Sequence, residues 1–204
     1  MHKKILLKGL LYGGLWGIAE ATLGYILHLI GFFTGFRSFS GFIMYPVGIF
    51  FMYYSFVETG SYYTILLTSF FSATIKLSNL FFPFLPYYHT INPSIAIILE
   101  GLSSYVFIRF FETKGFLKNI LRFSIASLFW RTLFILTLTI IGENRIKNYL
   151  NFLFLESFVN GIIAGFMFDR MKNLKIAEFR LNPILFYSTG ILTQILFAFL
   201  IWKF

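Results

Sequence analysis

The chain has 204 residues, of which 58% are hydrophobic and only 12% are charged. Its mean hydropathy of +0.78 excludes an ordinary soluble domain and predicts an integral membrane protein. The net charge of +9 does not indicate nucleic-acid binding, because the Lys and Arg residues stand in short clusters at the ends of apolar runs. Cysteine is absent, which excludes disulfides and thiolate metal sites.

Seven apolar runs bounded by charge, glycine or proline are candidates for membrane helices. They predict an all-α, polytopic transmembrane helix bundle that forms a single domain over residues 1–204. Six helices are the alternative count, because the second run is the shortest. The runs are Ile5–Ile30, Gly41–Val57, Tyr62–Phe82, Pro93–Phe111, Phe116–Ile141, Tyr149–Phe168 and Pro183–Trp202.

The Lys and Arg residues are distributed unequally between the two sets of connections. If the N-terminus is cytoplasmic, the inner segments hold eleven of them and the outer segments hold four. The positive-inside rule therefore predicts a cytoplasmic N-terminus and a multi-pass protein of the cell membrane. The inner residues are Lys3, Lys4, Lys8, Arg109, Lys114, Lys118, Arg122, Arg170, Lys172, Lys175 and Arg180, and the outer ones are Arg37, Arg145, Lys147 and Lys203.

The first run carries two spaced patterns on different faces. Gly13, Gly17 and Ala21 recur every four residues and form a small-residue surface, against which another helix can pack closely. Glu20 and His28 share a second stripe, because they are eight residues apart. A carboxylate inside an apolar helix is costly and normally faces a protein interior or a polar cavity, so Glu20 is predicted to be functional.

Ionisable residues in four other predicted spans lie at a similar depth. At about 1.5 Å per residue, Glu20, Lys76 and Arg131 lie roughly 21–23 Å from the predicted inner ends of their helices. Glu100 and Glu156 lie roughly 10 Å from the predicted outer ends of theirs. The sequence therefore predicts one layer of five charged side chains, which we call the charged layer.

These charges must pair, since insertion scales assign about 2.5–3.5 kcal/mol to an ionised residue at a helix centre. The pairs either close into a structural network or hold open a polar site for a solute. Because three carboxylates face two cations, the second interpretation favours a cationic or amine-bearing ligand, unless one carboxylate is protonated. Asn79 and Asn160, each one turn from a charged residue, belong to the predicted ligand site.

Two outer connections are rich in glycine, proline and aromatic residues. Gly31–Ser40 and Phe81–Pro93 are either lids over an outward-facing pocket or ordinary interfacial segments. His28 and His89 are the candidates for a metal site, although an imidazole near the outer surface can simply contact water. No metal or cofactor is predicted.

The chain as a whole resembles the substrate-binding S components of energy-coupling factor (ECF) transporters. The resemblance lies in the length, the small-residue surface of the first helix, the outer segment Gly31–Ser40 and the charged layer. It implies that the small-residue surface docks onto a transmembrane coupling subunit and that Glu100, Arg131 and Glu156 enclose the ligand. The chain departs from this family in helix count, because S components usually have six helices with both ends inside.

The sequence therefore predicts a solute-binding subunit of an uptake transporter. Its partners would be a small-molecule solute, membrane lipid, a coupling subunit and separate ATPases, and it would not itself be an enzyme. One alternative is an intramembrane enzyme acting on lipid or peptide, against which the lack of H-E-x-x-H and G-x-S-x-G motifs argues. The other is a non-catalytic assembly protein whose charges only fix helix positions.

Overall fold

The computed structural model describes residues 2–35, 39–81, 87–111, 115–142, 146, 148–171 and 181–203, without the side chains of residues 28, 32, 39 and 201–203. In this part of the chain, seven helical spans are long and apolar enough to cross a membrane, which confirms the predicted all-α, polytopic class. The helices are α1 (His2–Thr34), α2 (Phe39–Thr59), α3 (Tyr63–Leu77), α4 (Tyr88–Phe110), α5 (Phe116–Ile141), α6 (Glu156–Met171) and α7 (Pro183–Lys203). A 3-10 turn, Ser78–Phe81, extends α3, and a π-helical segment, Asn151–Leu155, precedes α6.

Contacts at glycines define the directions of the helices. Along α1, Gly9 and Gly17 touch successively later residues of α3, so these two helices are parallel. Along α6, Gly161 and Gly165 touch successively earlier residues of α5, so this pair is antiparallel. We call the end of the bundle at which α1 begins the basic end, because Lys3 and Lys4 lie there.

Helix α2 lies in the middle of the bundle and contacts α1, α3, α4 and α6. The most apolar window of α2 is 56% buried, whereas that of α7 is only 17% buried. Helix α7 packs on α1, α3 and the 3-10 turn. The structure is therefore a six-helix core with a seventh helix on its surface.

The prediction of a long outer segment at Gly31–Ser40 is wrong. Helix α1 continues to Thr34 and α2 begins at Phe39, so most of this segment is helical. Glycine is well tolerated in apolar helices, which is why its presence did not mark a loop. Because these residues are helical, Gly31–Ser40 is not the long loop that the lid interpretation requires. Residues 36–38 lie outside the described residues.

The predicted start of the fourth span at Pro93 is also wrong. Helix α4 begins at Tyr88, so Pro93 lies inside it and His89 lies in its first turn. The Ser94 hydroxyl, directly after this proline, donates to the Thr90 carbonyl of the preceding turn at 2.7 Å. The second proposed lid is thereby shortened, and its residues 82–86 lie outside the described part of the chain.

Candidate functional site

The best-defined contact of the charged layer is an ion pair between α5 and α6. Arg131 is only 1% exposed and donates from Nη1 to Glu156 Oε2 at 2.6 Å. Its Nε donates to Ser127 Oγ at 3.3 Å. The guanidinium also lies over the rings of Trp130 and Phe152, 4.7 and 4.4 Å from their centroids. The pair thus combines a charge-assisted hydrogen bond with two cation–π contacts.

Two local features of α6 bring Glu156 to this position. The π-helical segment Asn151–Leu155 ends directly before it, and a π turn changes the face on which the following side chains lie. Gly161 and Gly165 then let α6 approach α5 closely, since a Cβ at either position would lie 2.6–2.8 Å from the α5 backbone. Sequence analysis missed these two glycines, although their G-x-x-x-G spacing is a known helix-packing signal.

Glu100 of α4 is a buried carboxylate that is 7% exposed. It interacts electrostatically with Arg131 and with Glu20. Nevertheless, no described side chain forms a hydrogen bond or a salt bridge with it. Because Arg131 donates directly to Glu156, Glu100 has no direct partner among the described residues.

Glu20 of α1 and Lys76 of α3 also interact electrostatically, and both side chains are half-buried. The described contacts include no salt bridge between them. The Glu20 carboxylate lies over Gly24, where a Cβ would be 3.3 Å from Oε2. The Trp16 indole lies beside Glu20, but its N–H has no hydrogen-bond partner of normal geometry among the described residues.

The five charged residues form one connected series across the bundle. Each interacts electrostatically with the next, in the order Lys76, Glu20, Glu100, Arg131 and Glu156. The signs alternate along this series except at one place, where Glu20 and Glu100 follow one another. Among these five residues, the described direct contact is that between Arg131 and Glu156, and the other links in the series are electrostatic only.

The five residues do not share a single depth, as the sequence analysis expected. Gly101 packs on Ser69, which places the neighbouring Glu100 at the depth of Ser69. Lys76 lies seven residues further along α3, which is about 10 Å. The prediction of a common depth is wrong because α4 begins at Tyr88, five residues before Pro93. Glu100 is therefore twelve residues from the start of its helix and not seven.

The two predicted asparagines lie in different surroundings. Asn160 is fully buried, and its Nδ2 donates to the same Ser127 Oγ that accepts from Arg131, at 3.5 Å. Asn79 lies in the 3-10 turn after α3 and is 4% exposed. Neither amide atom of Asn79 has a hydrogen-bond partner among the described residues. Asn160 thus adjoins the ion pair, whereas Asn79 lies near the depth of Lys76.

Tyr45 of α2 is a member of this site that sequence analysis missed. It is 1% exposed and interacts electrostatically with Glu100 and Arg131. Its ring stacks on Trp130 with centroids 6.1 Å apart. The hydroxyl has no hydrogen-bond partner in the described part of the structure. No sequence signal distinguishes it, since an aromatic residue in an apolar run normally indicates packing.

The small-residue surface of α1 packs against α3 of the same chain. A Cβ at Gly13 would lie 2.6 Å from Phe71 Cβ, and one at Gly17 would lie 2.5 Å from Ile75 Cδ1. Ala21 is 2% exposed. The expected close helix contact is therefore present, but α3 already covers the surface that the family resemblance assigned to a coupling subunit.

The two histidines are placed differently from the expectation. His89 is exposed in the first turn of α4 rather than in a connection. The side chain of His28 lies outside the described residues. A metal site formed by this pair stays a prediction.

The basic end has polar contacts of its own. Arg122, which the sequence analysis counted with the inner connections, is only 6% exposed, and its Nη1 donates to the Phe111 carbonyl at 3.0 Å. Glu58 accepts a hydrogen bond of 2.6 Å from the Tyr12 hydroxyl and forms a salt bridge with Lys8. These contacts tie the start of α1 to the end of α2, and the start of α5 to the end of α4.

One cavity lined by described residues lies between α3 and α7 and has a volume of about 560 Å³. Its walls include Thr74, Leu77 and Tyr187 and contain no charged residue. A smaller one of about 170 Å³ lies between α5 and the π-helical segment. Neither cavity is part of the charged layer.

Comparisons with protein-family models, curated proteins and solved structures find no match for this chain. The fold class is therefore defined by the helices themselves, as a polytopic bundle with seven helices of membrane-spanning length.

Proposed function

We propose that this protein is a membrane-embedded solute-capture subunit that binds a small cationic or amine-bearing molecule within the charged layer. The observation that carries the proposal is Glu100, a buried carboxylate without a direct partner among the described residues. A protein interior stabilises such a group only if a positive charge approaches it or a proton neutralises it. A ligand cation would supply that charge.

The surroundings of Glu100 support a ligand more than a closed network. Arg131 interacts electrostatically with Glu100, yet it donates to Glu156, and its Nη2 has no hydrogen-bond partner among the described residues. The Tyr45 hydroxyl, in the same site, is also buried and has no hydrogen-bond partner among the described residues. Buried polar atoms without partners are uncommon in folded proteins, and a ligand or ordered water usually explains them.

A thermal-shift screen of small amines tests the proposal with Glu100→Gln. We expect at least one amine to stabilise the wild-type protein in detergent and the substitution to weaken its binding by about 100-fold, since losing one partner of a buried charge pair has effects of this size. Glu58→Gln is the matched control, because Glu58 lies at the basic end. It should lower the melting temperature but keep the amine response. An equal response in wild type and Glu100→Gln would refute the site assignment.

The family resemblance supports the further proposal that separate ATP-hydrolysing partners energise uptake across the cell membrane. A coupling subunit would then contact a surface other than the one formed by Gly13 and Gly17, which α3 covers. Helix α7 and the basic end remain exposed for such a contact. The excess of basic residues at the inner connections supports a cytoplasmic N-terminus.

Cysteine labelling measures the orientation directly, because the natural chain contains no cysteine. Lys3 is exposed at the basic end, and Tyr87, at the opposite end, is 54% exposed. In intact spheroplasts, an impermeant maleimide should label Tyr87→Cys, whereas Lys3→Cys should react only after permeabilisation. The opposite pattern would place the N-terminus outside.

A further inference from the structure

The cavity between α3 and α7 lies at the side of the bundle. Helix α1 packs on both helices, but its glycine contacts use Ile75 and the start of α7, on a different face from the cavity. Most of the wall side chains are partly exposed, and Phe81, at one end, is 84% exposed. Both helices are long and apolar enough to span a membrane, so the cavity is continuous with the surface that faces lipid. The walls consist of Thr74, Leu77, Ser78, Phe81, Tyr187, Ile191 and Ile195.

The cavity extends along the helix axes through one half of the membrane. Thr74 is eleven residues beyond the start of α3, which is about 17 Å from that end of the helix. Phe81 lies a further 10–12 Å or so toward the end opposite the basic end. Because the hydrocarbon core of a bilayer is about 30 Å thick, the cavity extends from near its centre toward one surface. Its volume of about 560 Å³ is within the range of ligand pockets.

The hydroxyl groups of the wall donate their hydrogen bonds within the protein. Thr74 Oγ1 donates to the Phe71 carbonyl at 2.8 Å, and Ser78 Oγ donates to the Ile75 carbonyl at 2.6 Å. Because the Thr74 hydrogen is used in this way, the tyrosine donates in the bond of 2.9 Å between Tyr187 Oη and Thr74 Oγ1. The wall therefore offers no free hydroxyl donor and no charge, which suits a hydrocarbon and not a polar solute.

We propose that this cavity binds a hydrocarbon chain of a membrane phospholipid and that the bound chain holds α7 against α3. The occupant follows from the position of the cavity, which is open to lipid, lies along the helix axes and is confined to one half of the bilayer. The hydrogen bond between Thr74 and Tyr187 closes the end nearest the membrane centre. The site is separate from the charged layer and does not depend on the proposed solute.

The packing of α7 explains why a lipid would matter. Only 17% of the most apolar window of α7 is buried. Its described contacts with α3 include the Tyr187 ring, 5.7 Å from that of Phe71, and Gly190, where a Cβ would lie 2.7 Å from Ile75 Cδ1. Beyond these contacts, the cavity separates the two helices. Helices in a membrane associate through close packing, so a chain that fills this space supplies contacts that the side chains do not make.

Filling the cavity from its own wall tests the proposal. Ile191→Trp and Ile195→Trp each place an indole in the space for the chain. Leu192→Trp is the matched control, because Leu192 is 68% exposed and adds the same group to the outer surface of α7. After incubation of full-length protein with dioleoylphosphatidylcholine in mild detergent, we expect native mass spectrometry to show one bound phospholipid on the wild type and the control. Both cavity variants should lose it.

Thermal shift measures the stabilising effect of the same lipid. Wild-type protein stripped of lipid should gain several degrees in Tm when dioleoylphosphatidylcholine is added, because a ligand of the folded state stabilises it. Leu192→Trp should gain as much, whereas Ile191→Trp and Ile195→Trp should gain little. Circular dichroism without lipid establishes that each variant is folded.

Three results would overturn the lipid site. They are equal lipid retention by the cavity variants and the wild type, a wild type that neither retains phospholipid nor gains stability from it, and a wild-type dimer that Ile191→Trp dissociates. The last result would assign the cavity to a second copy of this chain. Because the two sites are separate, Glu100→Gln should keep the lipid and Ile191→Trp should keep the amine response, so failure of one site leaves the other standing.

Discussion

Arg131→Met is expected to destabilise the folded protein by about 3–5 kcal/mol, the cost of removing one partner of a buried ion pair. The substitution removes the hydrogen bond of 2.6 Å from Arg131 Nη1 to Glu156 Oε2, and Glu156 is only 6% exposed. It also removes the only cation of the series that borders Glu100. Titration with SDS in mixed micelles measures the free energy of unfolding. Glu156→Gln should cost less, because Arg131 can then turn toward Glu100.

The double variant Arg131→Met with Glu156→Gln should recover much of the lost stability, since no unpaired charge of the pair remains. Arg109→Met is the matched control, because Arg109 is exposed on α4, and we expect it to change stability by less than about 1 kcal/mol. If Arg131→Met and the control are equally stable, Arg131 does not form the buried pair. If the double variant is no more stable than Arg131→Met, the pair is not the source of the effect.

Gly161→Val should destabilise the bundle by about 1–3 kcal/mol or more, through overpacking between α5 and α6. A Cβ at this position would lie 2.6 Å from the backbone nitrogen of Ser124, so the helices must separate for any side chain to fit. Because the same interface holds Arg131 against Glu156, the variant should also weaken ligand binding. The same SDS titration, together with the amine response, measures both effects.

Ile162→Val is the control for this substitution. Ile162 is the next residue of α6 and is 40% exposed, so a valine there should change stability by no more than about 0.5 kcal/mol. Equal stability of Gly161→Val and Ile162→Val would show that α5 and α6 do not approach each other as closely as described.

The sequence predicted the helices well and their ends less well. Apolar runs longer than about 18 residues have few alternatives in a chain of this composition, so all seven spans were found. The connections were harder, because glycine and aromatic residues occur both in interfacial loops and in membrane helices. Gly31–Ser40 was therefore assigned to a loop, although α1 and α2 extend through most of it.

Errors in helix ends carried over into the predicted depth of the site. The sequence identified the five charged residues because an ionisable side chain in an apolar run is costly and normally has a partner or a function. These residues are Glu20, Lys76, Glu100, Arg131 and Glu156. Because buried charges need partners, they were also expected to interact with one another. The depth of Glu100, however, depended on where α4 begins, and a proline marks a possible helix start without fixing it.

The glycine contacts and the role of Tyr45 had an ambiguous signal in the sequence or none. Small residues at a spacing of four predict a close helix contact, but they do not tell whether the neighbour is in the same chain. Gly13 and Gly17 were assigned to a partner and contact α3, whereas Gly161 and Gly165 were overlooked and contact α5. The role of Tyr45 depends on its position in the centrally placed α2, which only the tertiary structure reveals.

Native mass spectrometry of detergent-purified protein tests most directly whether the charged layer is a binding site. We expect the wild-type protein to be released from micelles with one small cationic molecule bound, and Glu100→Gln, with unchanged helix content, to be released without it. A wild-type protein that carries no such molecule even after incubation with small amines, or a Glu100→Gln variant that retains it equally, would contradict the account.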